Sequence, residues 1–246
     1  MVEARRFYQR SEQVAAEVGD QLSVGRAHVG LGVISTSEGK FDEAHDHYAR
    51  SLETYNTLRY GAGLMMVHHN LGALELARHR YKEAIEHLSE SLAWGRERGD
   101  RVNGAGATVH LGVARLRLKD LAGARADLLS GLRAARDLNS PRITAQGLEA
   151  VAELARTEAD AESATRLLGA AHALRTRFGL HESECEETIY TRESGSLRAV
   201  IGSARFDELW SSGLCDSMAT GLGRAIDWLA GAEAHPGLPP DAATPA

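Results

Sequence analysis

Apolar and small residues along this chain line up at a fixed interval of forty positions. Alanines 4, 44, 84, 124 and 164 stand one under another. Leu31-Gly32 returns as Leu71-Gly72 and Leu111-Gly112, and Phe41, Tyr81 and Leu121 share one register. So do Tyr48, Leu88, Leu128 and Leu168, and likewise Leu52, Leu92 and Leu132. A period of this size marks one supersecondary unit stacked on copies of itself, so the pattern predicts a solenoid without a single centre.

Each unit reads as two helices. The spacing predicts helices over about 22–38 and 41–57, 61–78 and 81–98, and 102–118 and 121–138. A fifth unit opens at Pro141, where the missing N–H of proline costs nothing in a first turn, and runs to about Phe178-Gly179. Gly39-Lys40 and Gly99-Asp100 are the turns, glycine supplying the positive φ that ends a helix. No sustained two-residue alternation and no Asn-Gly turn speaks for strands. Gly32, Gly72 and Gly112 fall inside helices, where glycine costs about 1 kcal/mol relative to alanine. That loss in three registered positions predicts close approach of a partner helix carrying Ala44, Ala84 or Ala124.

The pattern of Leu-Gly on a first helix, Ala twelve positions on, and an aromatic or Leu four later resembles the tetratricopeptide repeat. The usual unit of that family is shorter, at about 34 residues. Lengthened units like these are similar to the sensor arms of bacterial signal-transduction ATPases, MalT-like regulators among them. The chain also departs from the family: His28, His68 and Thr108 occupy the position of its aromatic, and its closing proline is mostly missing. The stretch 164–180, ATRLLGAAHALRTRFGL, resembles the helix that ends many actinobacterial LuxR-type ATPase regulators. Ala204–Gly213, with Met218 and Ala225, is similar to their last helices. The resemblance spans roughly residues 1–230 and implies an all-α, right-handed α-solenoid of tetratricopeptide-like helix pairs. It divides the chain into a repeat array over 1–180, capping helices over 181–230 and a disordered tail over 231–246. It also implies a role in transcriptional or signalling control. Neither a Walker A sequence nor a helix-turn-helix accompanies the repeats, so the chain reads as a sensor arm alone.

In that family the first helices line a concave groove. Carried onto this chain, the groove positions are Arg26, Val29, Val33 and Thr36; Met66, His69, Ala73 and Leu76; and Val109, Val113, Leu116 and Arg117. The set is mostly apolar, unlike the Lys/Asn clamp that holds a terminal carboxylate. It implies a protein or peptide partner, such as a partner helix, or a segment of this chain lying in the groove. The alternative is a small-molecule inducer in the same groove, and superhelical packing could equally bury these residues.

Composition narrows the function further. A net charge of −6 argues against nucleic acid as the main ligand. Two cysteines, Cys185 and Cys215, make neither a disulfide framework nor a metal quartet, which points to a reducing cytoplasm. No apolar run approaches the ~18 residues of a membrane span, and the opening MVEARRFYQR has no signal-peptide core. Eleven histidines invite a metal reading, yet His45 and His47 point to different sides of a helix and no His-Glu-x-x-His occurs. His68 shares the packing register of His28, and His69 falls on the neighbouring groove register. The acidic run Glu182, Glu184, Glu186 and Glu187 surrounds Cys185, opposes thiolate formation and reads as a loop. No catalytic constellation, cofactor site or metal site is expected.

Two surfaces remain. The fourth unit carries seven basic residues, Arg101, Arg115, Arg117, Lys119, Arg125, Arg133 and Arg136, against Asp120, Asp127 and Asp137, either a solvated face or a docking patch. Ala4 aligns with the second-helix alanines while no first helix precedes it. Phe7, Val14 and Val18 would therefore lack a mate, in a truncated product, a piece of a longer protein or a homodimer joined through this half repeat.

Overall fold

In the computed structural model, which describes residues 2–180 and 184–231, twelve helices follow one another without a strand. They are α1 (Val2–Glu17), α2 (Gln21–Ser37), α3 (Phe41–Thr57), α4 (Gly61–Ala77), α5 (Tyr81–Arg98) and α6 (Arg101–Arg117). The chain continues with α7 (Leu121–Asp137), α8 (Pro141–Thr157), α9 (Ala161–Phe178), α10 (Glu184–Ile201), α11 (Ser203–Cys215) and α12 (Met218–Gly231). The protein is an all-α solenoid. Within the described residues the helix bounds fall within about a residue or two of the sequence expectation.

The helix pairs repeat every forty positions, but the backbone repeats every twenty. Residues 19, 39, 59, 79, 99, 119, 139, 159 and 179 all have φ between +48° and +73°. The N–H of the residue after each, from Asp20 and Lys40 through to Asp160 and Leu180, donates to the carbonyl five residues earlier at 2.8–3.1 Å. This closure satisfies carbonyls that a helix end leaves orphaned. The same junction residue often starts the next helix: Asp20, Asp120 and Asp160 accept from the N–H groups of Ser23, Gly123 and Ser163 at 2.9–3.1 Å. Only four of the nine positive-φ residues are glycine; Arg59, His79, Lys119, Asn139 and Ala159 hold the same turn.

The registered glycines do what their positions predict. A Cβ on Gly72 would lie 2.5 Å from Leu88 Cγ and 3.4 Å from the Ala84 carbonyl, and one on Gly112 would meet Leu128 and the Ala124 carbonyl likewise. In the second unit Tyr48 takes the place of that leucine against Gly32. Ala44, Ala84, Ala124 and Ala164 are fully buried. Serine ties two of the pairs at a common spacing, Ser51 Oγ donating to the Gly25 carbonyl and Ser91 Oγ to that of Met65, each at 2.9 Å.

Successive first helices touch, α2 with α4, α4 with α6 and α6 with α8, whereas successive second helices make no comparable contact. The inner face of the solenoid is therefore built from α2, α4, α6 and α8. Beyond α9 the repeat stops. Helix α11 crosses α9 backbone to backbone, since a Cβ on Gly213 would overlap the Arg166 carbonyl and one on Gly169 would lie 2.8 Å from the Trp210 carbonyl. Helix α12 returns over α7, α8 and α9. The Trp228 indole N–H donates to Asp160 at 2.8 Å, and Arg125 stacks on the Trp228 ring.

The acidic stretch expected as a loop is helical from Glu184 on, as the first turn of α10. The side chains around Cys185, residues 181–183 and the expected tail from 232 to 246 lie outside the described part.

Candidate functional site

Residues 33, 73 and 113 share one register on the inner face, and the next member of that row is Glu153. Val33 is 48% exposed, while Ala73 and Val113 are half-buried. Met66, His69, Leu76 and Thr36 are half-buried beside them. Arg26 and Arg117 are exposed at the rim, and Arg117 reaches across to the fifth unit, 2.7 Å from Glu153.

Val29 and Val109 are core residues, not groove residues. Val29 packs with Tyr48, Tyr55 and Leu64, and Val109 is fully buried against Gly131 of α7. Leu116 is buried too. Three before the glycine, Val29 and Val109 turn into the core, whereas His69 in the same register is half-buried. The row one residue after the glycine stays open.

At the fifth unit α10 lies over the neighbouring register, three before the glycine position, and its Glu193 stands beside Glu153 of the open row. Tyr190 of α10 donates its hydroxyl to Glu149, the register equivalent of Val29, His69 and Val109. Glu149 also takes a two-pronged contact from Arg175 of α9, whose Nε and Nη2 lie 2.5 and 2.8 Å from its oxygens. Arg175 Nη1 donates to the Leu180 carbonyl, so the same guanidinium closes α9. Glu193 of α10 is held protonated to higher pH by burial first and by the neighbouring Glu153 carboxylate second, against the pull of Arg156 and Arg117. Sequence reasoning missed this helix on the row because no repeat signal survives beyond residue 180.

Three of the basic residues of the fourth unit are engaged in ion pairs that cross helices. Arg115 lies 3.1 Å from Asp127, Arg117 is paired with Glu153, and Arg125 with Glu158. Two of those three carboxylates come from the next unit, so these pairs tie units together. A shallow hollow lined by Ser163, Arg166, Leu167, Arg224, Asp227 and Trp228 sits at the seam of α9 and α12, away from the inner row.

Six of the described histidines meet in twos. His28 Nδ1 lies 3.2 Å from His47 Nδ1, and His68 Nδ1 lies 3.2 Å from His87 Nδ1. His45 faces outward. His69 and His110 meet edge to face with centroids 5.2 Å apart, and burial pushes the His110 imidazole down to about 3. Among the described residues no group of three or more His, Cys, Asp or Glu is placed to hold a metal ion. No helix among them is long and apolar enough to cross a membrane.

The crystal structure of BtubC (BKLC) from P. vanneervenii is similar to this chain over 99% of its length and 96% of that chain, with TM-score 0.62 and 19% identity. At that identity the likeness shows the fold alone. No family model and no curated protein matches the chain.

Proposed function

We propose that this protein is a binding scaffold of tetratricopeptide type whose inner row, Val33, Ala73 and Val113, takes an apolar helix or peptide. The observation that carries this reading is α10, a helix of the same chain anchored by Tyr190 over the fifth-unit end of that face. A face that accepts one helix at Glu149 offers the next units as a continuation, apolar where the fifth unit is acidic. The repeat length and the 164–180 stretch support a regulatory setting like that of MalT-like and LuxR-type ATPase sensor arms, in the cytoplasm and without direct contact to nucleic acid or membrane. The apolar character of the row supports a partner helix over a small inducer, which needs an enclosing cavity.

The test is Ala73→Glu with a photo-crosslinker at position 33 in parent and variant. The added carboxylate should leave the melting temperature within a few degrees, since Ala73 is half-buried, while desolvating it on binding costs about 1–3 kcal/mol or more. Polypeptide adducts at 33 that vanish in the variant support the groove. Adducts that persist unchanged rule it out.

A second surface supports self-association. Phe7 on α1 and Val18 in the turn just after it are 66% and 73% exposed, and Ser11 sits at the register where Ser51 and Ser91 bond a first helix. Sedimentation at micromolar concentration should show a dimer that Phe7→Glu converts to monomer; a monomeric parent would refute it.

A further inference from the structure

The two Nδ1-to-Nδ1 pairs are copies of one another. His28 and His68 stand one unit apart on first helices, and His47 and His87 on the second helices of the same units. At 3.2 Å two ring nitrogens hold one proton between them: one Nδ1–H donates and the other lone pair accepts. A second proton sets two N–H groups against each other with no acceptor between. The slot itself does not require a polar pair. In the fourth unit it holds Thr108 and Asp127, and in the fifth Leu148 and Leu167, both in the core.

We propose that these pairs are an acid-sensitive element: they hold α2, α3, α4 and α5 packed at neutral pH and loosen that segment, but not α8 and α9, when each pair is forced to take a second proton. The inference stands on the repeat packing alone, whatever occupies the inner row. Around His28 and His47 stand Glu12 and Arg5 of α1 and Glu43 and Arg50 of α3. Glu12 lies 3.6 Å from His28 Nε2, and Glu43 lies 3.9 Å from His47 Nε2. Around His68 and His87 stand Glu75 of α4, Glu86 and Glu90 of α5 and His45 of α3. The carboxylates favour a first proton on each pair, but they do not relieve the clash of the second.

Burial holds all four imidazoles below their ordinary range. An unfolded histidine takes its proton near 6.5, so just below that pH the unfolded segment binds more protons than the folded one. The contribution to stability is complete above about pH 6.5 and is lost as pH falls below it. Asp127 and Glu193, whose carboxyls are pushed up, belong to α7 and α10 and lie outside the segment.

Hydrogen exchange of the full chain at about pH 7.5 and about pH 5.5, corrected for the intrinsic rate, tests this directly. Amides of α2, α3 and α5 should lose at least about tenfold more protection than those of α8 and α9. The double change His28→Leu with His47→Leu, which copies the fifth unit, should abolish the loss in α2 and α3 and leave that in α5. Equal loss in both halves, or an unchanged loss in the variant, overturns the proposal. Deprotection by EDTA at about pH 7.5 would mark a metal-holding pair and overturns it too. Should the variant not fold, the imidazole proton resonances of the parent decide: midpoints below about 6.5 support the element, and midpoints at or above it refute it.

Discussion

The second and fifth units put different chemistry into the same slot. In the second unit a histidine on each helix meets its opposite number, with carboxylates within 4 Å. In the fifth, two leucines take those positions and α12 closes over them, Gly221 passing close to Leu148 and Ala170. The two ends also differ in how helices touch. Toward the N-terminus, side chains fill the space beside glycine: Tyr48 at Gly32, Tyr55 at Gly25 and Gly63, Leu88 at Gly72. At the C-terminus backbone meets backbone, Gly169 and Gly213 between α9 and α11. One fold thus has an end that can adjust and an end that cannot.

Glycine-to-alanine changes measure that difference, and the largest effect is expected at the rigid end. Gly213→Ala drives a methyl into the Arg166 carbonyl, which is held in a helix, and should cost about 3 kcal/mol or more. Gly72→Ala meets Leu88, a buried side chain that must repack but is not fixed backbone, and should cost about 1–2 kcal/mol, part of it offset by the better helix propensity of alanine. Gly72→Leu, with no room for the added atoms, should approach the Gly213 value. Chemical denaturation of the three variants ranks them; Gly72→Ala as costly as Gly213→Ala would show that both ends are equally rigid.

A smaller and opposite effect separates the glycine turns from the others. Ala159 and Arg59 hold φ of +65° and +51°, a conformation costing an L-residue roughly 1–2 kcal/mol. Ala159→Gly should therefore stabilise, by about 1 kcal/mol or less once the freer unfolded chain is counted. The same change at a mid-helix site such as Ala126 should destabilise by a similar amount. A rise in melting temperature at 159 with a fall at 126 is the expected pair; a fall at both would mean the turn at 159 is not strained.

The solenoid was legible because its signals are local and repeated. Gly39, Gly99 and Pro141 mark turns directly, and Leu-Gly with Ala twelve positions later fixes which helix faces which. The turns at Arg59, His79 and Ala159 carry no turn residue of their own and follow only from their place in the repeat. The inner row was half legible. Val33, Ala73 and Val113 fell where the register put them, whereas Val29 and Val109 depended on how far each long helix rolls toward its partner, which spacing alone does not state. Helix α10 over Glu149 was not legible at all: it is held by one tyrosine, one glutamate and one arginine from three different helices, and no periodicity connects them.

The shared junction residue has a consequence for how such a chain can change length. Asp20, Asp120 and Asp160 each finish one helix and begin the next, leaving no slack between them. One residue added inside a helix would turn everything downstream by about 100° about its axis and point the alanine contacts into solvent. Growth or shrinkage that keeps every contact in phase comes in whole helix pairs, so the array is counted out in units rather than trimmed by residues.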